Sequence, residues 1–80
     1  MESDAVYAKL TNIFHDVFDD DNIVLSPEMT AEDVPEWDSL SHVRLIIAIQ
    51  QKFGVNFSAA QATNLRNVGE LVDLIQSRTP

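Results

Sequence analysis

The sequence contains no cysteine, so neither a disulfide framework nor a thiolate zinc site can support its core. Basic residues are scarce as well: five Lys and Arg stand against thirteen Asp and Glu, a net charge of −8. A phosphate backbone is bound by neutralising it, so this balance argues against nucleic acid and for basic protein partners. No apolar run approaches ~18 residues, and the opening Met1-Glu2-Ser3-Asp4 is acidic rather than basic, so neither a membrane span nor a signal peptide is expected. A cytoplasmic, monomeric protein without membrane insertion fits these absences. Eighty residues make a single domain, 1–80, with one modest hydrophobic core, too small for most self-contained active sites. Stability must then come from packed helices.

What the chain does hold is unevenly placed. Residues 1–38 contain eleven acids and one base, whereas residues 39–80 contain two acids and four bases. Val6, Leu10, Ile13, Phe14 and Val17 fall at helical spacing and predict an amphipathic helix over 3–18, opened by Ser3 or Asp4. The acidic run Asp19-Asp20-Asp21-Asn22 ends it. From there to Asp38, Pro27 and Pro35 with scattered Val24, Leu25, Met29 and Val34 predict a long structured connection pinned by a few apolar side chains. Connections of about twenty residues are uncommon in small domains and are usually functional. Residues 39–53 form the strongest helix, with Leu40, Val43, Ile46, Ile47, Ile49 and Phe53 on a face wide enough for the centre of a bundle. Gly54 then suits a left-handed helix stop, with Lys52 in the last turn, and Val55 and Phe57 cross the core. Ser58-Ala-Ala-Gln61 predicts a capping box opening a short helix over about 59–65, and Asn67-Val-Gly-Glu70 repeats that logic for a last helix carrying Val68, Leu71, Val72 and Ile75. The expected fold is all-α: three main helices, one short one, and a long loop between the first and second.

Chemistry converges on Glu36-Trp37-Asp38-Ser39-Leu40. Asp38 is a good N-cap, which puts Ser39 at the first helical position with a solvent-facing hydroxyl. A phosphodiester there would meet unpaired backbone amides and the positive end of the helix dipole. A plain helix-terminal serine is the alternative that the residues alone leave open.

Asp38-Ser39-Leu40, set between an acidic loop and an apolar helix ending in Phe53-Gly54-Val55, resembles the attachment motif of acyl carrier proteins, and the resemblance spans nearly all eighty residues. It implies a four-helix carrier fold with 4′-phosphopantetheine, taken from coenzyme A, on Ser39. The acyl group would ride on the arm as a thioester, so the protein would be a carrier and not an enzyme. Partners implied are a phosphopantetheinyl transferase, an acyl-loading ligase or acyltransferase, and ketosynthase-type enzymes. Asp38 would cap the helix and help the transferase place a metal ion and coenzyme A. Leu40 would pack near the arm or belong to the core, with His42, Val43 and Trp37 bordering it. The same fold also serves aminoacyl and peptidyl carriers, and an unmodified carrier-like interaction module is a further alternative.

Other residues carry less. Trp37 replaces the small residue common in fatty-acid carriers; its ring is expected to fold over the loop onto Val34 or Met29, the alternative being an exposed contact residue. His42 follows Ser39 by one helical turn but lacks the oriented base geometry and glycine-rich elbow of a serine hydrolase, so a surface histidine near the phosphate is expected. His15 has no ligand partner at metal spacing and receives no role. The Asp19-Asp20-Asp21 run lacks the alternating oxygen ligands and central Gly of a calcium loop, because Ile23 and Val24 stand there, and no metal site is expected. Between Asp38 and Glu70 there is no carboxylate, whereas carriers of primary fatty-acid synthesis commonly place several after the serine. The departure implies a specialised carrier in fatty-acid, polyketide or lipid-modifying metabolism, read by enzymes other than the housekeeping synthase.

Overall fold

In the computed structural model, which describes residues 2–79, four α-helices run as α1 Ser3–Phe18, α2 Ser39–Phe53, α3 Ala59–Thr63 and α4 Val68–Arg78. There is no strand among the described residues, and α1 packs on both α2 and α4. The core is built from Val6, Leu10, Ile13 and Phe14 of α1, Leu45, Ile46 and Ile49 of α2, and Val68, Leu71, Val72 and Ile75 of α4. These recur at three- and four-residue spacing, so each helix turns one stripe inward.

The caps account for most helix limits. Ser58 Oγ accepts from the Gln61 amide at 3.1 Å while Gln61 Oε1 accepts from the Ser58 amide at 3.0 Å, completing the expected box. Asn67 Oδ1 accepts from the Glu70 amide at 2.8 Å, but Glu70 reaches one residue further back than expected, its Oε1 accepting from Arg66 N at 2.8 Å. Gly54 takes φ +66° and ends α2. Two expectations are corrected here. Helix α1 opens behind Glu2, which makes no side-chain cap bond, so Ser3 and Asp4 are already helical. Helix α3 stops at Thr63, not 65, where the Thr63 hydroxyl donates back to the Ala59 carbonyl at 3.0 Å and Asn64 caps.

The apolar face of α2 is also only half buried. Leu45, Ile46 and Ile49 enter the core, but Leu40 is 65% exposed, Val43 55% and Ile47 49%, so these three form an outward stripe. Packing against α1 takes up Leu45, Ile46 and Ile49 and leaves this flank of α2 uncovered.

The long connection is ordered by backbone bonds as much as by side chains. Ile23, Met29 and Val34 are buried, whereas Val24, expected among the pins, is 83% exposed. The Met29 carbonyl accepts from Val68 N at 2.8 Å and the Pro27 carbonyl from Gly69 N at 3.0 Å. These are amides of the first turn of α4, which lack partners within their own helix. The loop and the N-terminus of α4 thus satisfy each other. At its start, His15 Nε2–H donates to the Ile23 carbonyl at 2.9 Å, and Asp19 closes α1 in the left-handed region at φ 51°.

Candidate functional site

The last third of the loop fixes the approach to α2. Thr30 opens a single 3-10 turn, Ala31–Asp33, with a reciprocal box: the Glu32 amide donates to Thr30 Oγ1 at 3.2 Å and the Thr30 amide to Asp33 Oδ2 at 2.9 Å. The Trp37 amide then donates to the Val34 carbonyl at 2.9 Å and the Asp38 amide to Glu36 at 3.1 Å, delivering Asp38 in extended conformation to the helix start.

Asp38 Oδ1 accepts from the Ser41 amide at 2.9 Å, the geometry of an N-cap. That amide hydrogen bond, followed by one from the Ser41 hydroxyl, holds the Asp38 carboxyl below the usual carboxylate range, so it is an anion at neutral pH. Ser39 is the first residue of α2 and is exposed, and its hydroxyl makes no hydrogen bond to the described residues. A group attached at Oγ would displace nothing and would stand at the positive end of a fifteen-residue helix. The residues present therefore fit a phosphodiester.

Ser39 borders an open groove of about 770 Å³ that runs between the loop, α2 and the segment joining α3 to α4. Val43, Leu65 and Leu71 give it apolar walls, and Thr30, Thr63, Arg66 and Asn67 line it with polar groups. It accommodates an elongated ligand with both apolar and hydrogen-bonding parts.

The expected neighbours of Ser39 occupy distinct positions. Asp38, Trp37, His42 and Val43 line this groove with it, while Leu40 lies on the outward stripe and is not core. The Trp37 ring is half-buried against the core cluster that includes Val34 and Met29, and is not an exposed contact residue. It meets Phe14 edge-on at 5.3 Å and 86°, and lies 6.2 Å from Phe18, because the aromatic cluster of α1 offers a larger apolar surface. His42 is not a free surface imidazole. Its Nδ1 accepts from Trp37 Nε1–H at 3.1 Å and its Nε2–H donates to the Ala62 carbonyl at 2.7 Å. Both imidazole nitrogens are thus engaged away from Ser39. His15, assigned no role, proves to be a loop anchor; its partner lies eight residues on, outside any local motif. Among the described residues, no group of three or more His, Cys, Asp or Glu is placed to hold a metal ion. No described helix is long and apolar enough to cross a membrane.

Residues 8–75 match the family described as a phosphopantetheine attachment site. Over 79 residues the chain is 30% identical to an acyl carrier protein of Acidothermus cellulolyticus, covering 99% of this chain and 94% of that one. An acyl carrier protein of Picosynechococcus is 31% identical over 74 residues, covering 92% and 91% of the two chains. The fold is similar to the solution NMR structure of a holo acyl carrier protein from Geobacter metallireducens, with a TM-score of 0.85 and 43% identity over 90% of this chain and 83% of that one.

Proposed function

Because the chain belongs to the acyl carrier proteins, the phosphopantetheine-attachment family, and is a carrier rather than a catalyst, we propose that Ser39 is the residue bearing its covalent 4′-phosphopantetheine. When bound, the arm supplies the terminal thiol on which an acyl group is held as a thioester. The observation that carries the assignment is the placement of Ser39: an exposed hydroxyl, unpartnered among the described residues, at the first position of α2 and on the edge of a groove that has apolar walls and also holds the cap Asp38. The chain contributes four things to that role. Ser39 Oγ is presented clear of other groups; the α2 amides and dipole favour the phosphate; the ionised Asp38 offers an oxygen ligand for a transferase-bound divalent cation; and the groove beyond gives the arm somewhere to lie. Residues 1–80 act as one acyl carrier domain, in the cytoplasm with the coenzyme A that supplies the arm.

The test is mass spectrometry after incubation with coenzyme A and a broad-specificity phosphopantetheinyl transferase. Gain of one phosphopantetheine that is lost in Ser39→Ala supports the assignment, and no gain in the native chain refutes it.

The partner face supports a finer reading. The Leu40, Val43 and Ile47 stripe points outward beside Ser39, and the cation nearest it on α2 is Arg44, which is in no ion pair among the described residues. With no carboxylate on the helix, enzymes that read an acidic ridge lose their attraction here. The chain is therefore a specialised carrier, loaded by a dedicated ligase or acyltransferase and serving ketosynthase-type or lipid-modifying enzymes. Equal turnover of this chain and a general fatty-acid carrier by housekeeping synthase enzymes would overturn that. An acyl rather than aminoacyl cargo is the reading favoured by relatives that are named acyl carrier proteins.

A further inference from the structure

Val24 is the most exposed large apolar side chain among the described residues, at 83%. It stands at the lip of a cleft of about 320 Å³ in the loop between α1 and α2, apart from the groove beside Ser39. The floor of this cleft is apolar, made by buried Ile23, Met29 and Val34, and its rim is acidic, made by Asp20, Asp33 and Glu36. Pockets for small molecules start at about 300 Å³, so this one suits a single side chain better than a cargo.

The walls are in place before any occupant arrives. The Ile23 carbonyl accepts from His15 Nε2–H at 2.9 Å, the Met29 carbonyl from Val68 N at 2.8 Å, and Asp33 is held in the reciprocal box with Thr30. Walls tied to α1, α4 and the 3-10 turn lower the ordering cost of binding. The carboxylates are aimed as well. Asp20 Oδ1 accepts from Asn22 N at 2.9 Å and Asp33 Oδ2 from Thr30 N at 2.9 Å, which fixes one oxygen of each and leaves the other free. Neither carboxylate oxygen of Glu36 is bonded among the described residues. No cation of the chain is near them in sequence, since no Lys or Arg occurs between Lys9 and Arg44, and the ion pair of His15 with Asp21 uses none of the three.

An apolar floor under unpaired carboxylates calls for an occupant with an apolar stem and a cationic head. Arginine meets this better than lysine, because its planar fork pairs with more than one carboxylate and is less strongly hydrated. A bare metal ion meets it poorly, since the floor offers no oxygen donors. We propose that the cleft is a docking pocket for an arginine side chain of a partner protein, its stem on Val24 and Met29 and its guanidinium between Glu36 and the rim aspartates. The turn Ala31–Asp33 places Glu32 on the groove beside Ser39 and Asp33 on this cleft, so a partner anchored here sits beside the attachment site without filling it. The pocket belongs to the loop and does not rest on the assignment of Ser39.

Methyl NMR of the full unmodified chain, titrated with acetyl-glycyl-arginyl-glycinamide, tests the pocket. The peptide should shift the methyls of Ile23, Val24 and Val34 and saturate in the millimolar range. Its citrulline analogue, equal in shape and uncharged, should bind about fivefold more weakly, the upper range of an exposed charge pair. Glu36→Gln should weaken the arginine peptide about two- to fivefold and leave the citrulline analogue unchanged. Val24→Ser, at a position too exposed to threaten folding, should weaken both peptides because it removes the stem contact. Equal binding of the two peptides, shifts as large beside Asp4 and Asp16 as in the cleft, or an arginine affinity untouched by Glu36→Gln overturns the proposal. Calcium ion moving these methyls when neither peptide does overturns it too.

Discussion

Replacing Gly69 by Ala tests whether the loop that leads to Ser39 is held by the first turn of α4. A Cβ at this position would lie 3.1 Å from the Pro27 carbonyl oxygen, 3.3 Å from Pro27 Cβ and 3.3 Å from Asn67 Oδ1. Helix propensity alone favours the change, by up to about 1 kcal/mol in a helix interior and less in a first turn. The contacts oppose it. Moving the Pro27 oxygen away from the new methyl lengthens its 3.0 Å bond from Gly69 N, and the 2.8 Å bond between Val68 N and Met29 O keeps the loop from sliding aside. Moving Asn67 Oδ1 instead disturbs the cap on Glu70 N at 2.8 Å. Losing most of one hydrogen bond and part of a cap amounts to about 1–2 kcal/mol, so the net expectation is destabilisation by about 1 kcal/mol. Urea unfolding followed by Trp37 fluorescence and helical circular dichroism measures this, with the slope unchanged. Gly54→Ala is the control, because nothing lies within 4 Å of its Cβ and its φ of +66° alone opposes a side chain. Asn tolerates that conformation, so Gly54→Asn should recover part of the loss while Gly69→Asn should not. A Gly69→Ala protein as stable as native or more so would show that the loop yields freely, and the anchoring argument would fall.

Three further outcomes are expected. Asp19, left-handed at φ 51°, carries strain that glycine does not, so Asp19→Gly should raise the urea midpoint by the equivalent of about 0.5–1 kcal/mol; a lower midpoint would contradict the strained cap. Phe14 is fully buried and supports Trp37, so Phe14→Ala should lose about 3–5 kcal/mol, most of what an eighty-residue domain has, and Phe14→Leu much less; a loss under about 1 kcal/mol in the alanine variant would refute that role. The Asp38 carboxyl is held below its unfolded value, so its stabilising effect is complete above the ordinary carboxylate range and is lost as pH falls through the lowered folded value. Asp38→Asn keeps a capping oxygen but does not titrate there, and its melting temperature should fall less steeply on acidification than that of the native chain; parallel curves would show that Asp38 contributes nothing to the acid limb.

The helices were legible in the sequence because their signals are local. Ser58 with Gln61, Asn67 ahead of Glu70, and Gly54 after Phe53 each announce a boundary within four residues. Periodicity could not tell which apolar residues of α2 turn inward. Leu40, Val43 and Ile47 have the same composition signal as Leu45 and Ile49, and the side on which α1 packs decides between them. The histidines were opaque for a related reason. His42 finds its acceptor twenty residues away and His15 eight residues away, so no spacing rule connects them. The loop's attachment was hidden more deeply, since carbonyls of Pro27 and Met29 are identical in every sequence and acquire meaning only when α4 arrives.

That last bond pair has a consequence for the order in which the molecule is made. On a chain synthesised from its N-terminus, the oxygens of Pro27 and Met29 have no partners until Val68 and Gly69 have been added. Helices α1 and α2 can coalesce earlier through Phe14, Leu45 and Ile49 and can already hold Ile23 and Trp37, but the Pro27–Met29 part of the loop stays unfastened until the final helix begins. A nascent fragment ending before residue 67 would therefore carry Ser39 with its Asp38 cap and its Trp37 contacts but with the middle of the preceding loop unanchored.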